Sequence, residues 1–149
     1  MRPLEFWIID DDHLYVDDVI AALDEILEGF TVVRFTMTSQ AIAALESGRR
    51  PDACILDMML PKDEHDQPWR WPVDINPAKS GIELAEKIRQ AGVEPARIGV
   101  ITAVFEEGRL DRLHESEIGI KRDSVLLKPA LVGKIRSLAL ELTAAARRA

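Results

Sequence analysis

The apolar runs of this chain end on side chains that can do chemistry. LEFWII runs into Asp10, Asp11 and Asp12, ACIL into Asp57, IGVI into Thr102, and VLL into Lys128 with Pro129 behind it. Two carboxylates about 4 Å apart repel by around 4 kcal/mol at an effective dielectric of about 20. Three together call for a proton or a cation. Mg²⁺ takes one or two carboxylates, keeps several waters and adds phosphate oxygens. Lys128 offers a mobile point charge to a phosphoryl oxygen, and Thr102 a neutral donor. A carboxylate attacking phosphorus yields an aspartyl phosphate, and Asp57 is the candidate nucleophile. Such catalysis is mostly positioning and charge neutralisation. Each residue also has an ordinary use: Asp12 as a helix cap, a strand-end Asp in a turn, Thr as β-branched filler, Lys-Pro as a turn. Their convergence on one sheet edge carries the chemical reading.

That convergence depends on the elements. Residues 4–9 read as a buried strand. Val16, Val19, Ile20, Leu23, Ile26 and Leu27 recur at helical spacing up to Gly29. FTVVRF, residues 30–35, is a β-branched strand. Thr38 or Ser39 is expected to cap a second helix that stops at Gly48. Residues 53–56 form the third strand, and Ser80 is expected to cap a third helix with Ile82, Ala85 and Ile88 inward and Glu83 and Lys87 paired at i,i+4. Residues 98–103 are the fourth strand, 106–115 a weaker helix, 124–127 the fifth strand. Leu131, Ile135, Leu138 and Leu142 define a last helix. Strand then helix, five times over, predicts an α/β doubly wound parallel sheet covered on both faces. In such sheets ligands bind beyond the carboxyl ends of the strands, where these side chains fall.

The totals restrict the setting. The chain has 149 residues, enough for one domain over 1–149 with a sizeable core. Lys and Arg number 19 against 26 Asp and Glu, net −7, which argues against a direct nucleic-acid surface. No apolar stretch reaches membrane-span length and no signal peptide is evident. Cys54 is the one cysteine and reads as a buried small hydrophobe. We expect a cytoplasmic protein without membrane insertion.

Residues 62–79, KDEHDQPWRWPVDINPAK, form a long loop with no evident element. Long loops in compact domains are usually functional or disordered. Trp69 and Trp71 flank Arg70 between two prolines, and Trp and Arg are enriched in binding hot spots. The alternative is that both indoles pack down and anchor the loop. His65 with Asp63, Glu64 and Asp66 reads as a solvated charged turn.

IIDDDH at 8–13, PDACILDMMLP at 51–61, SGIELAEKIR at 80–89, VITA at 100–103 and LLKPA at 126–130 together resemble the receiver domain of two-component response regulators. The resemblance spans nearly the whole chain, in the family's order. It implies the five-stranded (βα)5 flavodoxin-like receiver fold, with Asp57 as phosphoacceptor. Asp10 and Asp11 would be the acidic pair, Asp11 binding Mg²⁺ (or Mn²⁺) directly and Asp10 largely through water. Asp57 and the Met59 backbone carbonyl would be further ligands. Thr102, with the small Ala103 after it, would be the switch hydroxyl, and Lys128 the phosphoryl-binding lysine. Implied partners are a histidine kinase or a histidine phosphotransfer protein.

Two departures stand out. The family's switch aromatic, three positions before the lysine, is here Val125, with Phe105 the nearest substitute ring. The connection from Thr102 to Lys128 is also longer than usual. And 62–79 is an insertion between the third strand and third helix, placed to gate the site, bind a partner or set the phosphoryl lifetime. Only one helix follows Lys128, so no attached DNA-binding domain is expected. Output would pass by protein–protein contact to a downstream target, through a face that includes Val125. Homodimerisation stays open. The activity expected is self-catalysed phosphorylation and dephosphorylation of Asp57 rather than that of a classical enzyme. Two rivals are an unphosphorylated pseudo-receiver scaffold and a haloacid-dehalogenase-like phosphatase with Asp10 as nucleophile. The latter lacks an acidic pair after the lysine and leaves PDACILDMMLP unexplained.

Overall fold

LEFWII forms β1 (Leu4–Ile9), and its side chains alternate between two cores. In the computed structural model, which describes residues 2–106 and 108–149, Trp7 and Ile9 pack to one side with Cys54, Leu56 and Val100. Phe6 and Ile8 pack to the other with Ala53, Ile55 and Ile101. Successive strand side chains point to opposite faces, so a strand covered on both sides must be apolar at nearly every position. Each such fully buried large side chain is worth about 1.5–3 kcal/mol.

The remaining strands are β2 (Phe30–Phe35), β3 (Ala53–Leu56), β4 (Ile98–Thr102) and β5 (Val125–Leu127). All pairings are parallel, in the order β2-β1-β3-β4-β5. Helices α1 (His13–Leu23) and α4 (Val132–Arg148) cover the Phe6 face through Val16, Val19 and Leu23 and through Ile135, Leu138 and Leu142. Helices α2 (Thr38–Glu46) and α3 (Lys79–Gln90) cover the Trp7 face. The expected doubly wound sheet is therefore present. From β1 the chain crosses to β2 on one side and β3 on the other, so the topological switch point lies between β1 and β3, where ligand crevices open in such sheets. Among the described residues no helix is long and apolar enough to cross a membrane.

Five local expectations are corrected. The helix expected over 106–115 is only a short 3-10 turn, Asp111–His114; Glu107 lies outside the described residues. Leu110, Leu113, Ile118 and Ile120 still reach the core, but from turns. Gly119, at φ +72°, reverses the chain, and Arg89 of α3 takes the Ile118 carbonyl at 2.8 Å. Helix α1 ends at Leu23, leaving Ile26 and Leu27 buried in the turns before β2. Neither Thr38 nor Ser39 caps α2. Their N–H groups donate to the carbonyls of Pro61 and Lys62, both at 2.9 Å. Ser80 lies inside α3 rather than at its cap, and Glu83 and Lys87 make no ion pair. The Glu86–Arg112 pair instead ties α3 to the 3-10 turn.

Candidate functional site

The backbone sets the strand ends side by side. The Asp10 N–H donates to the Phe35 carbonyl at 3.0 Å, and the Asp57 N–H to the Ile9 carbonyl at 2.9 Å. The Lys128 N–H donates to the Thr102 carbonyl at 2.9 Å. Sheet pairing thus runs one residue past each strand and fixes where Asp10, Asp57 and Lys128 begin. The Lys128–Pro129 peptide is cis. Asp12 caps α1, its carboxylate accepting the Tyr15 N–H at 3.1 Å.

Above this frame three carboxylates meet. One oxygen each from Asp10, Asp11 and Asp57 lies within 4.8 Å of the others. Asp10 and Asp57 are buried and Asp11 is exposed. Lys128 Nζ bridges the two buried acids, at 2.8 Å from Asp10 Oδ2 and 3.2 Å from Asp57 Oδ2. Asp10 Oδ1 accepts the Asp12 N–H at 2.9 Å and Asp57 Oδ1 the Met58 N–H at 2.7 Å. Three negative charges face one positive charge, leaving two uncompensated. At 4.8 Å each like pair costs about 3–4 kcal/mol at an effective dielectric of about 20.

The titration follows. Burial, and then the Asp57 charge, push Asp10 up to about 6 against the pull of Lys128. The same two causes raise Asp11. Burial pulls Lys128 down, but its hydrogen bond to Asp10 and the charges of Asp57 and Asp10 outweigh that, so its pKa rises and it stays an ammonium. Perturbed acids grouped in a crevice make it a candidate functional site.

Gly81 brings the third element in. The Gly81 N–H donates to the Met58 carbonyl at 2.9 Å, and Ser80 Oγ donates to the same oxygen at 3.2 Å while accepting the Leu60 N–H at 3.1 Å. A Cβ on Gly81 would stand 2.3 Å from Met58 Cα and 2.8 Å from the Asp57 carbonyl, so only glycine lets α3 dock on this turn. Among the described residues no donor takes the Met59 carbonyl.

The sequence-derived candidates separate. Asp10, Asp11, Asp57 and Lys128 are brought together. Thr102 is fully buried at the neighbouring strand end, its Oγ1 accepting the Val104 N–H at 3.2 Å. Val125 is half-buried opposite Val100, and Phe105 is 76% exposed, so neither presents a ring to the site. In the loop, Trp71 is half-buried and donates Nε1–H to Asp66 Oδ1 at 2.7 Å, whereas Trp69 is 75% exposed and Arg70 is exposed beside it. Asp63 Oδ1 accepts the N–H groups of His65 and Asp66, a charged turn as expected. Gly81 and Tyr15, which lies beside Lys128, carry no chemical signal in the sequence.

The sequence matches no protein-family model and no curated protein. Solved structures do match across the chain. A response regulator receiver domain protein (CheY-like) from Methanospirillum hungatei JF-1 is 18% identical, with 99% of this chain and 100% of that one covered and a TM-score of 0.67. The response regulatory domain of protein mrkE from Klebsiella pneumoniae is 19% identical, covering 98% and 100%, at 0.68. The signal receiver domain of the putative response regulator NarL from Mycobacterium tuberculosis is 20% identical, covering 97% and 98%, at 0.63. The chain has the CheY-like receiver fold.

Proposed function

We propose that this chain, a single domain with the receiver fold, is a phosphoacceptor of two-component signalling. Asp57 takes a phosphoryl group from a histidine kinase or a histidine phosphotransfer protein and later loses it to water. The observation that carries this reading is the Asp57–Lys128 contact inside a three-carboxylate cluster at the switch point. An Asp57 carboxylate oxygen forms the new bond to phosphorus as the donor's P–N bond breaks. The leaving imidazole keeps the electron pair and takes up a proton. Lys128 already stands against Asp57 as counter-charge for the incoming phosphoryl oxygens. The Thr102 hydroxyl, which accepts the Val104 N–H, would turn toward the product and bias the segment after β4.

The donor set fits Mg²⁺ (or Mn²⁺): hard oxygens only, two uncompensated charges and the unclaimed Met59 carbonyl. Asp11, Asp57 and the Met59 carbonyl would hold it directly, and Asp10 largely through water. When bound it supplies neutralising charge to phosphoryl oxygens. Output passes by protein–protein contact, for which exposed Trp69 and Arg70 are candidates.

The test is intact mass after incubation with acetyl phosphate and Mg²⁺, beside Asp57→Asn and Asp10→Asn. We expect one added phosphoryl group on the wild type and none on Asp57→Asn. Persistent labelling of Asp57→Asn but not of Asp10→Asn would instead favour an Asp10 nucleophile. No adduct on folded protein from acetyl phosphate or from a phosphorylated donor would favour a scaffold.

A further inference from the structure

Lys128 has a third neighbour besides its two carboxylates. Its Nζ lies 4.6 Å from the centroid of the Tyr15 ring. Tyr15 sits in the first turn of α1, and the Asp12 cap that accepts its N–H at 3.1 Å fixes the backbone from which the ring projects. The ring is half-buried against the Phe6 core. Its hydroxyl is buried and has no hydrogen-bond partner among the described residues, and the contact it makes with Lys128 is through its face.

An ammonium over an aromatic face is attracted by the ring quadrupole, and more strongly where water is excluded. The other two partners of Lys128 are shared groups. In the proposed reaction, Asp10 and Asp57 also serve a cation and a phosphoryl group, and each such event takes an oxygen from the lysine. The ring is the partner whose hold is independent of those events. We propose that Tyr15 is a positioning residue for Lys128: its ring keeps the ammonium beside Asp57 while the carboxylates change partners. The kinetic consequence rests on the receiver reading; the contact does not.

Tyr15 is the chain's single tyrosine, so ring-labelled ¹³C-tyrosine gives one set of NMR signals. In metal-free protein, Lys128→Met shifts those signals, while Asp52→Asn, at the opposite end of β3, leaves them in place. For the kinetics, Tyr15→Leu slows acetyl phosphate labelling of Asp57 by roughly 2- to 30-fold. Tyr15→Phe, which keeps the ring, labels at the wild-type rate. Circular dichroism confirms the fold of each variant, and Tyr15→Met is a second ringless variant should the leucine not fold. Ring signals indifferent to Lys128→Met would overturn the proposal. So would a Tyr15→Leu as fast as wild type, or a Tyr15→Phe as slow as Tyr15→Leu, which would hand the role to the hydroxyl. If the wild type takes no label at all, the receiver reading falls and the NMR result alone decides the contact.

Discussion

Asp52 and Asp57 flank the same four-residue strand and meet opposite treatment. Asp52, entering β3, accepts the Arg2 guanidinium at 2.7 and 2.8 Å and the Glu5 N–H at 2.7 Å. Asp57, leaving it, shares one lysine with Asp10 and stands among three carboxylates. Burial would raise Asp52, but the Arg2 and Glu5 hydrogen bonds hold its carboxyl below the usual range. At the other end Asp10 goes up to about 6. A groove of about 540 Å³ opens at the Asp52 end, lined in part by Arg2, Glu5, Arg49 and Arg50. There Arg2 already holds Asp52 and Arg49 holds Glu5. The difference teaches that carboxylates crowded against one another, not the size of a hollow, mark the candidate site of this fold.

The strongest way to break the comparison is to remove each carboxylate in turn. Asp57→Asn should abolish the proposed labelling, yet it removes one of three like charges and should raise the unfolding midpoint of the metal-free protein. Asp52→Ala leaves labelling intact and lowers stability by about 1–3 kcal/mol, because the Glu5 N–H loses its acceptor. Mass spectrometry and urea unfolding read the two effects separately. A labelling defect in folded Asp52→Ala would show that the two ends are not independent.

Gly81 sharpens the same contrast from the backbone. Gly81→Ala forces α3 away from Met58 and Asp57, and the atoms in its way are all backbone. We expect a loss of about 3 kcal/mol in urea unfolding, at the upper end for overpacking, together with slower labelling. A divalent cation then separates the ends by ligand. Mg²⁺ at a hundred times its dissociation constant stabilises by about 2.7 kcal/mol. That increment should survive Asp52→Ala and vanish in Asp11→Asn, as thermal unfolding with and without Mg²⁺ would record.

How much of this was legible depends on the range of the interaction. β1 and β3 were readable because strands buried on both faces must be apolar throughout, and their terminal acids were readable because nothing apolar explains them. The element after β4 was not. Leu110 and Leu113 have helical spacing, but the path is set by Arg89 reaching from α3 to the Ile118 carbonyl. The start of α2 misleads in the same way, since its first donors are taken by the carbonyls of Pro61 and Lys62. Trp69 and Trp71 are the same residue type two positions apart, yet only Trp71 reaches Asp66 and is half-buried, which no local pattern announces. The Tyr15–Lys128 contact joins the first helix to the last strand, and no local pattern announces it.

The smallest effect is also the one in which the two ends oppose each other in sign. Asp10 has a folded pKa of about 6, above its unfolded value, so the native state holds the extra proton. Its contribution to stability is complete below about pH 4 and is lost as pH rises through about 6. Asp52 has a lowered folded pKa, so its contribution is present above the unfolded value and is lost as pH falls through the folded one. Metal-free protein should therefore be most stable near pH 4–5 and lose on the order of 1–2 kcal/mol toward neutrality. Urea unfolding across pH 3–7.5 measures both limbs. Asp10→Asn should flatten the upper limb and Asp52→Asn the lower one. Saturating Mg²⁺ should reverse the upper limb, because protons then compete with the cation for the same carboxylates. An upper limb that persists unchanged in Asp10→Asn would mean that the excess charge at the site end is not seated on Asp10.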